Sequence, residues 1–136
     1  MVLLKRQYPR FAISRYTHFL VLTQSCDLVL RSGVCKASHV SLAAVVPLQL
    51  VLETRIRAEQ DEFERAAGVG SSKLRGELRQ FLERLLNNNE PDSFYLHEDS
   101  GLGLAQGSCA FLRLSIPVEA VPNYDLLLES RILSLT

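Results

Sequence analysis

Apolar and polar positions change period several times along the chain, and each change marks an element. Phe19 to Leu22 are four successive apolar residues that run on through Thr23, Gln24 and Ser25 to Cys26 and Asp27. The short length and the β-branched and aromatic content predict a buried strand. A polar connection around Arg31, Ser32 and Gly33 follows, where glycine can take the positive φ that a turn requires. From Val40 to Val46 the pattern is that of a second strand, with Val40, Leu42, Ala44 and Val46 on one face and Ser41, Ala43 and Val45 on the other. Pro47 ends it, having no N–H for a ladder. The two strands are expected to be antiparallel neighbours joined by more than a tight hairpin.

After Pro47 the period becomes helical. Leu50 to Ala67 is rich in helix formers, with Leu52, Ile56 and Phe63 on a narrow apolar stripe and Glu53 four residues before Arg57. Gly68, Val69 and Gly70 stop it. Ser71 or Ser72 then caps a second helix, whose Leu74, Leu78, Phe81, Leu82 and Leu85 form a clear amphipathic face. Asn87, Asn88, Asn89 and Pro91 close it, so a helical hairpin is expected over about 50–89.

Extended structure returns at Ser93 to Leu96, followed by a glycine-bearing polar loop from His97 to Gly107. Ser108 to Ser115 is the next strand, with Pro117 as its stop and Val118 to Val121 as a separate extended piece. The leucine-rich stretch Tyr124 to Leu135 is expected to be a terminal helix or arm that docks on the body or on another chain. Together these elements predict a single α+β domain over residues 1–136. Its sheet is expected to be mostly antiparallel and partly closed, with about five strands and the helical hairpin between the second and third. The C-terminal arm covers about 123–136.

Composition narrows the functional classes. Fifteen basic residues balance fifteen acidic ones, so a general electrostatic grip on nucleic acid or on an anionic membrane is not expected. Arg55, Arg57, Arg65, Lys73, Arg75, Arg79 and Arg84 alternate with Glu53, Glu59, Asp61, Glu62, Glu64, Glu77 and Glu83, the pattern of a solvated, ion-paired face. The one local exception is Arg6, Arg10 and Arg15, interleaved with Tyr8, Phe11 and Tyr16, since aromatics can stack bases, although core packing or oligomer contact is the commoner use of such aromatics. Three cysteines without a CxxC pair fit reduced thiols in a cytoplasmic protein. The apolar start is broken at once by Lys5 and Arg6, which excludes a signal-peptide core, and no stretch is long enough to span a membrane.

The densest polar cluster is Thr23-Gln24-Ser25-Cys26-Asp27, at the end of an apolar strand, where a rigid strand meets an accessible loop. Thr23, Gln24, Cys26 and Asp27 are the candidate ligand-binding residues. As chemistry, Cys26 would be a nucleophile, His39 or His97 its base and Asp27 the orienting carboxylate. As structure, Cys26 is a small buried hydrophobe and Thr23 and Asp27 hydrogen-bond the backbone where the chain leaves the strand. Cys26, Cys35 and His39 have only one half with a familiar zinc spacing, and a fourth ligand would have to come from Asp27, His97 or Cys109, so no metal or other cofactor is expected. Gly101, Gly103 and Gly107 precede a strand, not a helix, which excludes a dinucleotide loop. His97, Glu98 and Asp99 beside them offer ligands for a cation, with a solvated loop the favoured reading.

The segment Phe19-Leu-Val-Leu-Thr-Gln-Ser-Cys-Asp-Leu28, with the strand ending Val45-Val-Pro-Leu48, a helical stretch and Ser93-Phe-Tyr-Leu96, resembles a group of uncharacterised bacterial proteins with a TQSCDL-like strand end. That resemblance implies a bacterial protein, often carried on mobile elements such as integron gene cassettes, and implies no activity. The opening strand, loop and strand are also similar to the PemK/MazF toxin barrel, an SH3-like fold whose members cut RNA as dimers. Thr17-His18 stands where that family has Arg-Pro, so the similarity implies an SH3-like sheet and not the nuclease. The leading expectation is a non-enzymatic binding protein, homodimeric, using Gln24, Cys26 and Asp27 or the leucine-rich C-terminus as its contact surface. The alternative is a toxin-like endoribonuclease or thiol-dependent hydrolase using Cys26 and Asp27 with a histidine.

Overall fold

The computed structural model describes residues 6–65 and 71–131, with the side chains of 62–65, 71, 72 and 74 excepted. The fold is α+β. Strands β1 (His18–Val21), β2 (His39–Pro47), β3 (Ser93–Leu96) and β4 (Ser108–Glu119) form one antiparallel sheet in the order β1-β2-β4-β3. Helices α1 (Leu48–Arg65) and α2 (Ser71–Leu86) fall between β2 and β3 in the chain, and a short α3 (Tyr124–Glu129) follows β4. The expected stop at Gly68 to Gly70 and the end of the leucine-rich arm, Ile132 to Leu135, lie outside the described residues.

Two expectations are corrected. The sheet is open, with β1 and β3 at opposite edges, so it is not the partly closed, SH3-like sheet anticipated. It has four strands because Val118 and Glu119 continue β4 through Pro117 instead of starting a fifth strand. Pro117 is tolerated because it pairs with Ser41 beyond the end of β3, where its outer side meets no strand. Its carbonyl, on that side, accepts a hydrogen bond from the Tyr8 hydroxyl at 2.7 Å.

β2 is central and buried on both faces, which is why it reads as an almost unbroken apolar run. By strand alternation Val40, Leu42, Ala44 and Val46 share one face with Ile116 and Val118 of β4. The pairing then steps from Ala43–Ser115 to Ala44–Phe111, leaving Leu112, Arg113 and Leu114 without partners on β2. An odd insertion inverts the alternation, so that face is supplied by Cys109 and Phe111 before the bulge and by Ile116 and Val118 after it. The bulge is held by Leu112 N–H on the Asp92 carbonyl at 2.9 Å and by an Arg113–Asp92 ion pair at 2.6 Å.

That face carries both apolar clusters. At one end Phe11, Cys35, Val40, Leu42, Ala44, Ile116, Val118 and Ala120 pack together, joined by Tyr8, Tyr16, Phe19, Leu28, Tyr124 and Leu127. At the other, Phe81 and Leu85 of α2 close over Cys109, with Leu48, Val51, Leu52, Tyr95 and Phe111 around them. The helices touch through the Arg55 guanidinium, 5.4 Å from the centre of the Phe81 ring. On the opposite face Ala43, Val45 and Ala110 are fully buried. The His97–Gly107 loop explains this, since it runs from the β3 edge to Gly103, which lies beside His18 of the far edge strand. The loop is organised around Asp99, whose N–H and carbonyl both bond Leu104 and whose carboxylate accepts from Gly101 N–H at 2.9 Å.

Candidate functional site

Thr23 marks the departure from β1. Leu22 N–H still bonds the Ser41 carbonyl at 2.8 Å, but Ser41 N–H donates to Thr23 Oγ1, also at 2.8 Å. The hydroxyl takes the place of a main-chain acceptor, and the chain peels away from the sheet. One turn of 3-10 helix, Ser25–Asp27, follows. Farther along, Arg31 and Val34 exchange both main-chain hydrogen bonds, at 2.9 and 3.1 Å. Ser32 at φ 51° and Gly33 at φ 79° give this turn the type I′ geometry that suits a two-residue hairpin. Asp27 closes the base of the lobe by accepting Ala37 N–H on its carbonyl at 2.9 Å.

This lobe brings Gln24, Cys26 and Asp27 together. Cys26 is exposed and so is not the buried hydrophobe of the structural reading; its Sγ lies 3.7 Å from Gln24 Oε1 and 3.8 Å from Asp27 Oδ1. The same Asp27 oxygen lies 2.8 Å from Lys36 Nζ. The hydrogen bond from Lys36 holds the Asp27 carboxyl below its ordinary range, and the carboxylate in turn holds the Lys36 ammonium above its own. The thiol therefore faces two acceptors, one of them an ionised carboxylate, which take its proton in a hydrogen bond without serving as a strong base.

The histidines are placed elsewhere. His39 Nδ1 lies 3.0 Å from Ser38 Oγ, and its ring lines a shallow hollow with Gln7, Tyr8, Pro117 and Glu119. His97 packs edge-on against Tyr95, ring centres 4.8 Å apart. Neither forms a hydrogen bond with Cys26. Cys35 is buried, donating to the Leu28 carbonyl, and Cys109 is buried under the helices. Burial pushes the Cys109 thiol up to about 11. Among the described residues no three His, Cys, Asp or Glu side chains converge on a point a metal would occupy.

The basic aromatic segment is used internally. Phe11 and Tyr16 stack with centres 5.7 Å apart, Tyr16 meets Phe19 edge-on, and Tyr8 is tied to Pro117. The helical surface carries ion pairs Arg55–Glu59, Lys73–Glu77 and Arg79–Glu83, while Glu53 accepts from Gln49 in place of pairing with Arg57. Among the described residues no helix is long and apolar enough to cross a membrane.

Two residues escape the sequence reading. Lys36 is nine positions from Asp27, and the signal for it is the Ser32-Gly33 turn, which folds the residues after the motif back onto it. His18 has a buried Nδ1 with no hydrogen-bond partner, and no sequence pattern marks it. No protein-family model, no curated protein and no solved structure matches the chain.

Proposed function

We propose that the protein is a non-enzymatic interaction protein of bacterial, mobile-element type, acting as a homodimer in the cytoplasm, with the lobe Thr23–Lys36 as a contact surface. One observation carries this reading. The tip of the lobe is a rigid two-residue turn, yet its flanks are the exposed side chains of Val29, Leu30 and Val34, the last 62% accessible. An exposed turn that served only to connect strands would gain nothing from three large aliphatic groups. Against a partner, full burial of each would contribute about 1.5–3 kcal/mol. Leu126 and Leu128 of α3 are likewise exposed, while Leu127 docks on the core.

A thiol hydrolase or ribonuclease finds less support, because the acceptors beside Cys26 are an amide and a carboxylate held below its ordinary range, both weak bases, and neither histidine is hydrogen-bonded to it. The test pairs sedimentation with activity. The purified protein is expected to sediment with twice the mass of one chain. Wild type and Cys26→Ser are expected to give the same background rates on p-nitrophenyl acetate and on single-stranded RNA. Turnover that depends on Cys26 would overturn the reading. A binding partner captured by wild type should be lost by the Val34→Asp variant, which leaves the core untouched.

A further inference from the structure

The two edges of the sheet are treated differently. At the β3 edge the Tyr95 N–H points outward and is taken by Asn88 Oδ1 at 2.6 Å, so the end of α2 plugs that edge. At the β1 edge nothing comparable is present among the described residues. The Leu22–Ser41 hydrogen bond fixes the alternation of the ladder, turning His18, Leu20 and Leu22 toward β2 and leaving the N–H and C=O of Phe19 and Val21 facing out. No side chain or loop among the described residues bonds them. Natural edges are blunted by lysine, proline or inward charges. β1 has none of these, and Val21 at its end and Leu22 just beyond it are 48% and 39% exposed.

We propose that the β1 edge is completed by β1 of a second copy of this chain, antiparallel about a two-fold axis at Leu20, giving a continuous sheet across the dimer. This rests on the homodimer reading above and places its interface at the edge strand, leaving the lobe for other partners. A second copy fits because the strand carries no charge and the chain has none net, so two copies meet without repulsion. The register follows from the geometry. With Leu20 opposite Leu20, Phe19 of each copy faces Val21 of the other, and these are the residues whose main-chain groups point outward. Both strands then expose the same face to the same side, so the apolar clusters of the two copies lie together. The contact is small, so the dimer is expected to dissociate at about micromolar concentration or above.

The experiment uses the full chain. Sedimentation velocity of wild type is expected to show a reversible monomer–dimer equilibrium, and Val21→Lys, at a half-exposed edge position, to weaken it at least about tenfold with an unchanged circular dichroism spectrum. In a Cys26→Ser background, Leu20→Cys is expected to give a disulfide-linked dimer on mild oxidation, since the two residues form a close, non-hydrogen-bonded pair. Exchange of the Phe19 and Val21 amides should slow as concentration rises. A dimer that persists in Val21→Lys and does not cross-link at Leu20 overturns the edge interface and leaves the homodimer standing. A wild-type monomer at all concentrations overturns both. Protection of the two amides that does not depend on concentration means that the chain itself covers the edge, and overturns the proposal.

Discussion

Asn88 accepts a hydrogen bond from the main-chain N–H of Tyr95 while holding a left-handed backbone, φ 54°, just past the end of α2. One residue thus ends the helix and seals the outer edge of β3. Asn88→Ala loses both functions and is expected to cost about 1–3 kcal/mol. Asn88→Gly keeps the backbone conformation and should cost less. Urea denaturation ranks the two, and equal losses would mean that the hydrogen bond, not the conformation, dominates.

Gly107 sits against the Tyr95 ring, where an added Cβ would come within 2.5 Å of the hydroxyl oxygen and 3.1 Å of Cζ. Gly107→Ala is expected to destabilise by about 1–3 kcal/mol through overpacking. In a Tyr95→Phe background the nearest clash disappears, so the penalty should shrink. A double-mutant cycle measures that coupling, and additivity would contradict the contact.

The three thiols should separate by accessibility. One equivalent of Cys26 is expected to react with a disulfide reagent in the native protein, with Cys35 and Cys109 reacting only on unfolding. For Cys109 the sign of the pH effect follows from its raised value. The folded protein holds the thiol neutral up to about 11, while the unfolded chain ionises it from 9.0. Its contribution is complete below 9.0 and is lost as pH climbs toward 11, with a limiting slope of about 1.4 kcal/mol per pH unit. Cys109→Ala should flatten that part of the stability profile.

Asp27 works in the opposite sense. Its carboxyl is depressed by Lys36, so the pair's contribution is present above the ordinary carboxylate range and lost as pH falls through the lowered value. Lys36→Met is expected to return the Asp27 titration, followed by carbon-13 NMR, toward its ordinary value. An unchanged titration would show that another group holds the carboxylate.

At the tip of the lobe, Gly33→Ala is expected to cost about 1 kcal/mol or more, since φ 79° strains any side chain. Ser32→Asn, which favours the same turn, should be neutral or stabilising. Thermal melts of the two variants decide it.

Parts of this architecture could be read from residues alone because local and global requirements agree. β2 is legible since burial on both faces demands a continuous apolar run from Val40 to Val46, and α2 is legible since Phe81 and Leu85 repeat at helical spacing toward the sheet. β4 is misread for the opposite reason. Its bulge breaks the period at Leu112 to Leu114, and Pro117 looks like a stop although it lies where no neighbouring strand needs its N–H. At the site, the grouping of Gln24, Cys26 and Asp27 follows from proximity in the chain. Lys36 beside Asp27 is legible only through the Ser32-Gly33 turn between them, while the lack of a histidine hydrogen bond to Cys26 and the placing of His18 beside Gly103 depend on how strands and loops cross, which no spacing encodes.

The bulge in β4 also acts as a slip joint for chain length. Phe111 and Ser115 are clamped by consecutive residues of β2, Ala44 and Ala43, so the path between them is anchored at both ends while its middle answers only to Asp92. Peptide added or removed two residues at a time between Leu112 and Leu114 keeps the insertion odd, so Ile116 and Cys109 go on facing the same core while the ladder on either side stays paired. A short tag of even length placed there would leave the rest of the sheet in register, making the bulge a position at which this small domain can be lengthened.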